Sequence, residues 1–145
     1  MRGDIIAFYP HNFVDKIICK LGKTKYSHCG LQITKDTFIS ARFKGIEVLN
    51  ISTYNRKYDT FRIKGLKKCQ REKMIAFALN WEGRYYDFWG LIEYLTKLPL
   101  GKPGKFYCSE FLGLLALLVD KEVKEDIRRI SPEEFTKQKW LRKVK

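Results

Sequence analysis

Hydrophobic positions follow two different periods along this chain, and the change between them divides it. In the first half apolar and polar residues alternate in short stretches separated by turn residues, which predicts strands. Asp4 to Phe8 reads as a short buried strand entered by Gly3-Asp4. Ser27 to Ile33 places Cys29, Leu31 and Ile33 on one face and His28, Gly30 and Gln32 on the other. The apolar set is expected to face the core, leaving His28 on the opposite face with Gly30 beside it as room for another group. Thr37 to Arg42, Ile46 to Ile51 and Tyr58 to Ile63 follow as further strands, joined by turns such as Lys35-Asp36 and Lys44-Gly45. Strands so closely spaced predict an antiparallel meander.

Helical periodicity appears once early and then dominates the second half. Asn12 can cap a helix over Phe13 to Leu21, with Val14, Ile17, Ile18 and Leu21 on one face and Gly22 as its stop. From Lys68 to Trp81 the residues Met74, Ile75, Ala78 and Leu79 keep a 3.6-residue repeat that ends near Gly83. Asp87 can cap a helix over Phe88 to Leu98. After the turn Pro99 to Gly104, the apolar run Phe111 to Val119 reads as a buried helix. Ser131-Pro132-Glu133-Glu134 has the serine cap, early proline and third-position glutamate of a helix start. A short helix and a basic tail complete the chain. The fold class is α+β, in one domain spanning residues 1–145.

Composition sharpens this picture. A hydrophobic share of 45% with three Trp, eight Tyr and ten Phe excludes a natively disordered chain. The net charge of +13 would attract an anionic polymer, a membrane surface or nucleic acid. The lysines are scattered, as on an ordinary solvated surface. One segment, Tyr54-Asn55-Arg56-Lys57-Tyr58, interleaves aromatic and basic residues in the manner of a stacking platform. A non-catalytic nucleic-acid or anion-binding module is therefore the alternative to an enzyme. No secretory core is visible at the start, and Phe111 to Val119 is too short to span a bilayer, so a soluble, cytoplasmic and reducing location is expected.

The chemistry centres on one cysteine. The four cysteines, Cys19, Cys29, Cys69 and Cys108, contain no C-x-x-C pair and match no common zinc spacing, so neither a metal nor another cofactor is expected. Cys108 sits where coil becomes helix, and the free amides and positive dipole end there would stabilise a thiolate. A cysteine serving packing alone would favour the middle of the apolar run. A thiolate nucleophile needs a histidine in reach. His11 lies in a Pro-His-Asn turn, whereas His28 is held on a strand beside a small neighbour.

Taken together, Gly3-Asp4-Ile5-Ile6, Ser27-His28-Cys29-Gly30-Leu31, Ile39-Ser40-Ala41, Gly83 to Asp87 and Tyr107-Cys108-Ser109-Glu110 resemble the YiiX/YebB-like group. These are circularly permuted relatives of the NlpC-type, papain-fold cell-wall peptidases, similar in layout to the lecithin:retinol acyltransferase family. The resemblance spans nearly the whole chain. It implies Cys108 as nucleophile, His28 as base, and an orienting polar residue on the next strand. Ser40 stands at that position where the family often has an acid, and Gln32, on the face of His28, is the other candidate. Asp4, Tyr86, Asp87 and Glu110 match positions with a structural role. The implied activity is thiol hydrolysis of an amide or ester bond, on a peptide, a cell-wall-type amide or an acyl lipid, with lipid acyltransferase or phospholipase-like chemistry as the variant. A phage or viral source delivering the enzyme at lysis or infection fits a wall hydrolase without a secretory signal.

Overall fold

β1, Ile5–Phe8, is buried along its whole length because it lies inside a sheet with both faces covered. The computed structural model describes residues 1–21, 23–42, 45–83, 107–127 and 130–144. Among them β1 pairs antiparallel with β2 (His28–Gln32) on one side and β5 (Tyr58–Ile63) on the other. β3 (Thr37–Arg42), β4 (Gly45–Asn50) and β6 (Leu141–Lys143) complete a six-stranded sheet of order β4-β3-β2-β1-β5-β6. All its pairings are antiparallel.

The expected meander holds from β2 to β4 and then breaks. β5 does not pair with β4. The short helix α2, Ile51–Tyr54, carries the chain back across the sheet so that β5 lies beside β1. Asn50 starts that helix, its Oδ1 accepting from the amides of Ser52 at 2.9 Å and Thr53 at 3.4 Å. The basic tail contains a strand too: β6 adds to the β5 edge, opposing Phe61, Arg62 and Ile63. Three lysines and arginines at its end hid it from a hydrophobicity reading, since an edge strand needs only one inward residue, here Leu141.

The two faces are covered differently. On one, Ile5, Ala7, Cys29, Leu31, Ile39 and Phe61 pack under the helices. These are α3 (Lys68–Asn80), α4 (Tyr107–Leu117) and α5 (Pro132–Thr136), contributing Met74, Phe111, Leu112, Leu115 and Phe135. On the other face Ile6, Phe8 and Phe38 form a smaller cluster closed by Tyr54 and Tyr58. The capping box expected at Ser131 is present: its Oγ accepts from the Glu134 amide at 3.2 Å, and the Glu134 carboxylate accepts from the Ser131 amide at 2.8 Å. Tyr86, Asp87 and the expected helix Phe88 to Leu98 lie outside the described residues.

Helix α1, Phe13–Leu21, starts as expected, with the Asn12 Oδ1 accepting from the Asp15 amide at 2.8 Å. Ile17, however, does not face inward; it is 42% exposed. The buried carboxylate of Asp59 gathers distant segments. It accepts from the Tyr26 hydroxyl at 2.5 Å, the Tyr9 hydroxyl at 3.1 Å and the Lys143 ammonium at 2.7 Å. Burial alone would raise its pKa, but these donors hold it below the usual carboxylate range.

Gly30 illustrates how tightly β2 and β3 meet. A Cβ there would stand 2.6 Å from Phe38 Cδ2 and 2.8 Å from the Ile39 carbonyl oxygen. The space left by the glycine is filled by Phe38, not held open for a ligand. Gly30→Ala is expected to destabilise the fold by about 1–3 kcal/mol through forced repacking, read as a lower midpoint in urea denaturation.

Candidate active site

The pairing of β2 with β3 covers Leu31–Ile39 and Gln32–Phe38, whereas its pairing with β1 runs back to His28. At its start, therefore, β2 has a ladder partner on one side. Here α4 arrives, packed across β2 and β3 with its first turn at the opening. The Cys29 carbonyl, which lacks a β3 amide in register, accepts a hydrogen bond from the Ser40 hydroxyl at 2.5 Å. Ser40 is thereby committed to the β2 backbone. Its donated bond fixes the strand that carries Cys29 and His28, and Ser40 makes no hydrogen bond to the His28 Nε2.

Cys108 lies in the first turn of α4, buried at 6% exposure, in the same core cluster as Cys29. Its thiol is held well below the ordinary cysteine range. The largest cause is a hydrogen bond from the Cys29 side chain; burial opposes it, and the charge and hydrogen bond of the nearby His28 ring reinforce it. The Cys29 thiol is pushed well above that range, first by its complete burial and then by donating to Cys108. The asymmetry has a physical reason. Cys108 has the Cys29 donor and an imidazole beside it, while Cys29 is completely buried among apolar side chains. The pair is asymmetric: the surroundings favour the anion at Cys108 and the protonated thiol at Cys29.

His28 is positioned by packing. Its ring centroid lies 6.1 Å from that of Phe8 and 5.9 Å from that of Tyr54. Phe8, Phe38 and Tyr54 contact one another at 4.7 to 5.3 Å, so the imidazole rests on an aromatic block. Its Nε2 is buried and has no hydrogen-bond partner among the described residues. Gln32 does not supply one. The Gln32 amide donates to the Lys35 carbonyl at 3.0 Å and its Oε1 accepts from the Met1 ammonium at 2.8 Å, at the far end of β2. The reading of Gln32 as an orienting residue is corrected on that ground.

The remaining site residues have structural surroundings. Asp4 is gripped by the Arg62 guanidinium through a two-pronged bond of 2.9 and 3.0 Å, and by the Met1 ammonium at 3.0 Å. Glu110 is fully buried in the first turn of α4. The neighbouring Ser109 donates to the Ile130 carbonyl at 2.6 Å, tying α4 to the segment before α5.

Sequence reasoning missed Cys29 and Tyr54. Cys29 alternates onto the core face like any packing residue, and its contact with Cys108 depends on where α4 docks. Tyr54 was read as part of a stacking platform, but its ring is turned in against Phe8, Phe38 and His28. Its phenol is raised above the usual range, first by burial, with Arg56 and Arg42 opposing and the Cys108 charge adding. The Arg56 guanidinium covers its outer side at 4.5 Å from the ring centroid.

A groove of about 750 Å³ opens beside α2, over β1 and β5. Asp4, Gln32, Arg56 and Arg62 line it, and neither Cys108 nor His28 does. Of its charges, Asp4 is paired with Arg62 and Arg56 with Asp15. Among the described residues no three or more His, Cys, Asp or Glu side chains converge as a metal-binding group. No helix among them is long and apolar enough to cross a membrane.

Comparison with known proteins agrees with the architecture. No protein-family model and no curated protein matches the chain. The crystal structure of metalloprotein YiiX from Escherichia coli O157:H7, of the DUF1105 group, superposes with a TM-score of 0.54 at 19% identity. The match covers 100% of this chain and 96% of that one. The chain has a YiiX-like fold.

Site-resolved alkylation tests the sulfur assignment. Iodoacetamide modification of Cys108, followed by mass spectrometry against the exposed Cys69, is expected to reach half its maximal rate below pH ~8.5, the ordinary thiol value. Because Cys29 stabilises the anion, Cys29→Ala is expected to move that midpoint upward. A midpoint at or above the ordinary value in the unmodified chain would refute the thiolate.

Proposed function

We propose that this protein is a thiol hydrolase that cleaves an amide or ester bond through a Cys108 thioester, on a circularly permuted NlpC-type, papain-like domain. The observation that carries the reading is a buried sulfur at a helix start, within hydrogen-bond reach of both the His28 imidazole and the Cys29 thiol. A YiiX-like fold with the histidine strand ahead of the cysteine helix is consistent with the permuted order and with the layout of the lecithin:retinol acyltransferase family.

In this reading the Cys108 thiolate attacks the carbonyl carbon, and the oxygen gains negative charge. The positive dipole end of α4, where Cys108 sits, is the electrostatic feature available to that oxyanion. As the carbon–nitrogen or carbon–oxygen bond breaks, the His28 imidazolium gives its proton to the leaving amine or alcohol. Neutral His28 then takes a proton from water, which attacks the thioester and returns Cys108 to the thiolate. With no carboxylate bonded to its Nε2 among the described residues, the imidazole is oriented by the Phe8 and Tyr54 rings, which fix its plane but do little for its positive charge. The Cys29 thiol steadies the resting thiolate. YiiX is described as a metalloprotein; no step proposed here passes through a metal.

Incubation with an activated acyl ester is expected to leave an acyl adduct on Cys108, visible as a mass increase on its tryptic peptide. Cys108→Ala should abolish both adduct and turnover, and His28→Ala should lower turnover by about 10²–10⁴-fold with the fold intact. Full turnover in Cys108→Ala would dispose of the reading.

A further inference from the structure

Helix α1 turns an unusual side to solvent. Phe13 is 77% exposed and Ile17, one turn on, is 42% exposed. Lys16 and Lys20 are exposed on the same helix, and by its 3.6-residue repeat they flank the two apolar side chains. The opposite side is fixed to the protein body. Cys19 is buried there, and Asp15 pairs with Arg56 at 2.7 Å. The acid of α1 is thus neutralised, and its solvent side, continued by exposed Lys23, carries cations only. An exposed phenylalanine and isoleucine between lysines match an anionic bilayer, which offers an apolar interior and phosphate headgroups together. A second copy of this chain is a poor occupant, because each carries a net charge of +13.

The position of α1 gives this surface a use. Asp15 holds Arg56, Arg56 covers the Tyr54 ring, and Tyr54 packs against His28. Three successive contacts therefore lead from the inner side of α1 to the imidazole. We propose that α1 seats the protein on an anionic lipid surface.

The test is co-sedimentation of the intact chain with phosphatidylcholine vesicles, with and without phosphatidylglycerol. Binding is expected only with phosphatidylglycerol, and high salt should release it. The double variant Phe13→Ser/Ile17→Ser is expected to bind about tenfold more weakly or less. Its thermal melt should be unchanged, since both side chains are exposed. Cys108→Ala should bind as the unmodified chain does, so that binding and turnover are read separately. Failure to bind, equal binding to neutral vesicles, or full binding by the double variant would overturn the docking surface. So would a concentration-dependent dimer that dissolves in the double variant, which would assign the face to a second copy.

Discussion

The docking of one helix start against the open end of one strand decides what this molecule can do. β2 loses its β3 ladder before Leu31, and α4 enters where the ladder stops. That junction brings a strand thiol and a strand imidazole each within hydrogen-bond reach of a helix-borne sulfur. Buried alone, the sulfur would be an inert thiol; the helix amides, the imidazole and the donated hydrogen bond favour its anion instead. Ser40 serves this junction indirectly by satisfying the Cys29 carbonyl that the broken ladder leaves over.

The two faces of the sheet share the work. The helical face holds Cys108 and Cys29 in a dry core, which strengthens their mutual electrostatics. The α2 face holds His28 on aromatic rings. The imidazole is at the beginning of β2, where the strand's end lets a residue of one face reach a sulfur contributed from the other. A mid-strand histidine on that face would be separated from α4 by the sheet itself.

Much of this was legible in the sequence because it is local. Period-two alternation located β2, β3 and β5, Asn12 and Ser131 marked helix starts, and the coil-to-helix position of Cys108 marked the sulfur. What escaped reading depends on non-local placement. The return of β5 to β1 is decided by α2, a helix too short to show a period. The commitment of Gln32 to Lys35 and of Ser40 to Cys29 follows from strand register, which alternation alone does not set. The outward turn of Ile17 reflects the ion pair of Asp15 with Arg56, residues far apart in the chain.

The central claim is that Cys108 rests as a thiolate beside His28. Ultraviolet difference absorbance measures thiolate directly, without a reagent that must reach a buried atom. At neutral pH the unmodified chain is expected to show a thiolate band that Cys108→Ser lacks and that His28→Ala weakens. Identical spectra for the unmodified chain and Cys108→Ser, with the band rising only at alkaline pH, would contradict the account.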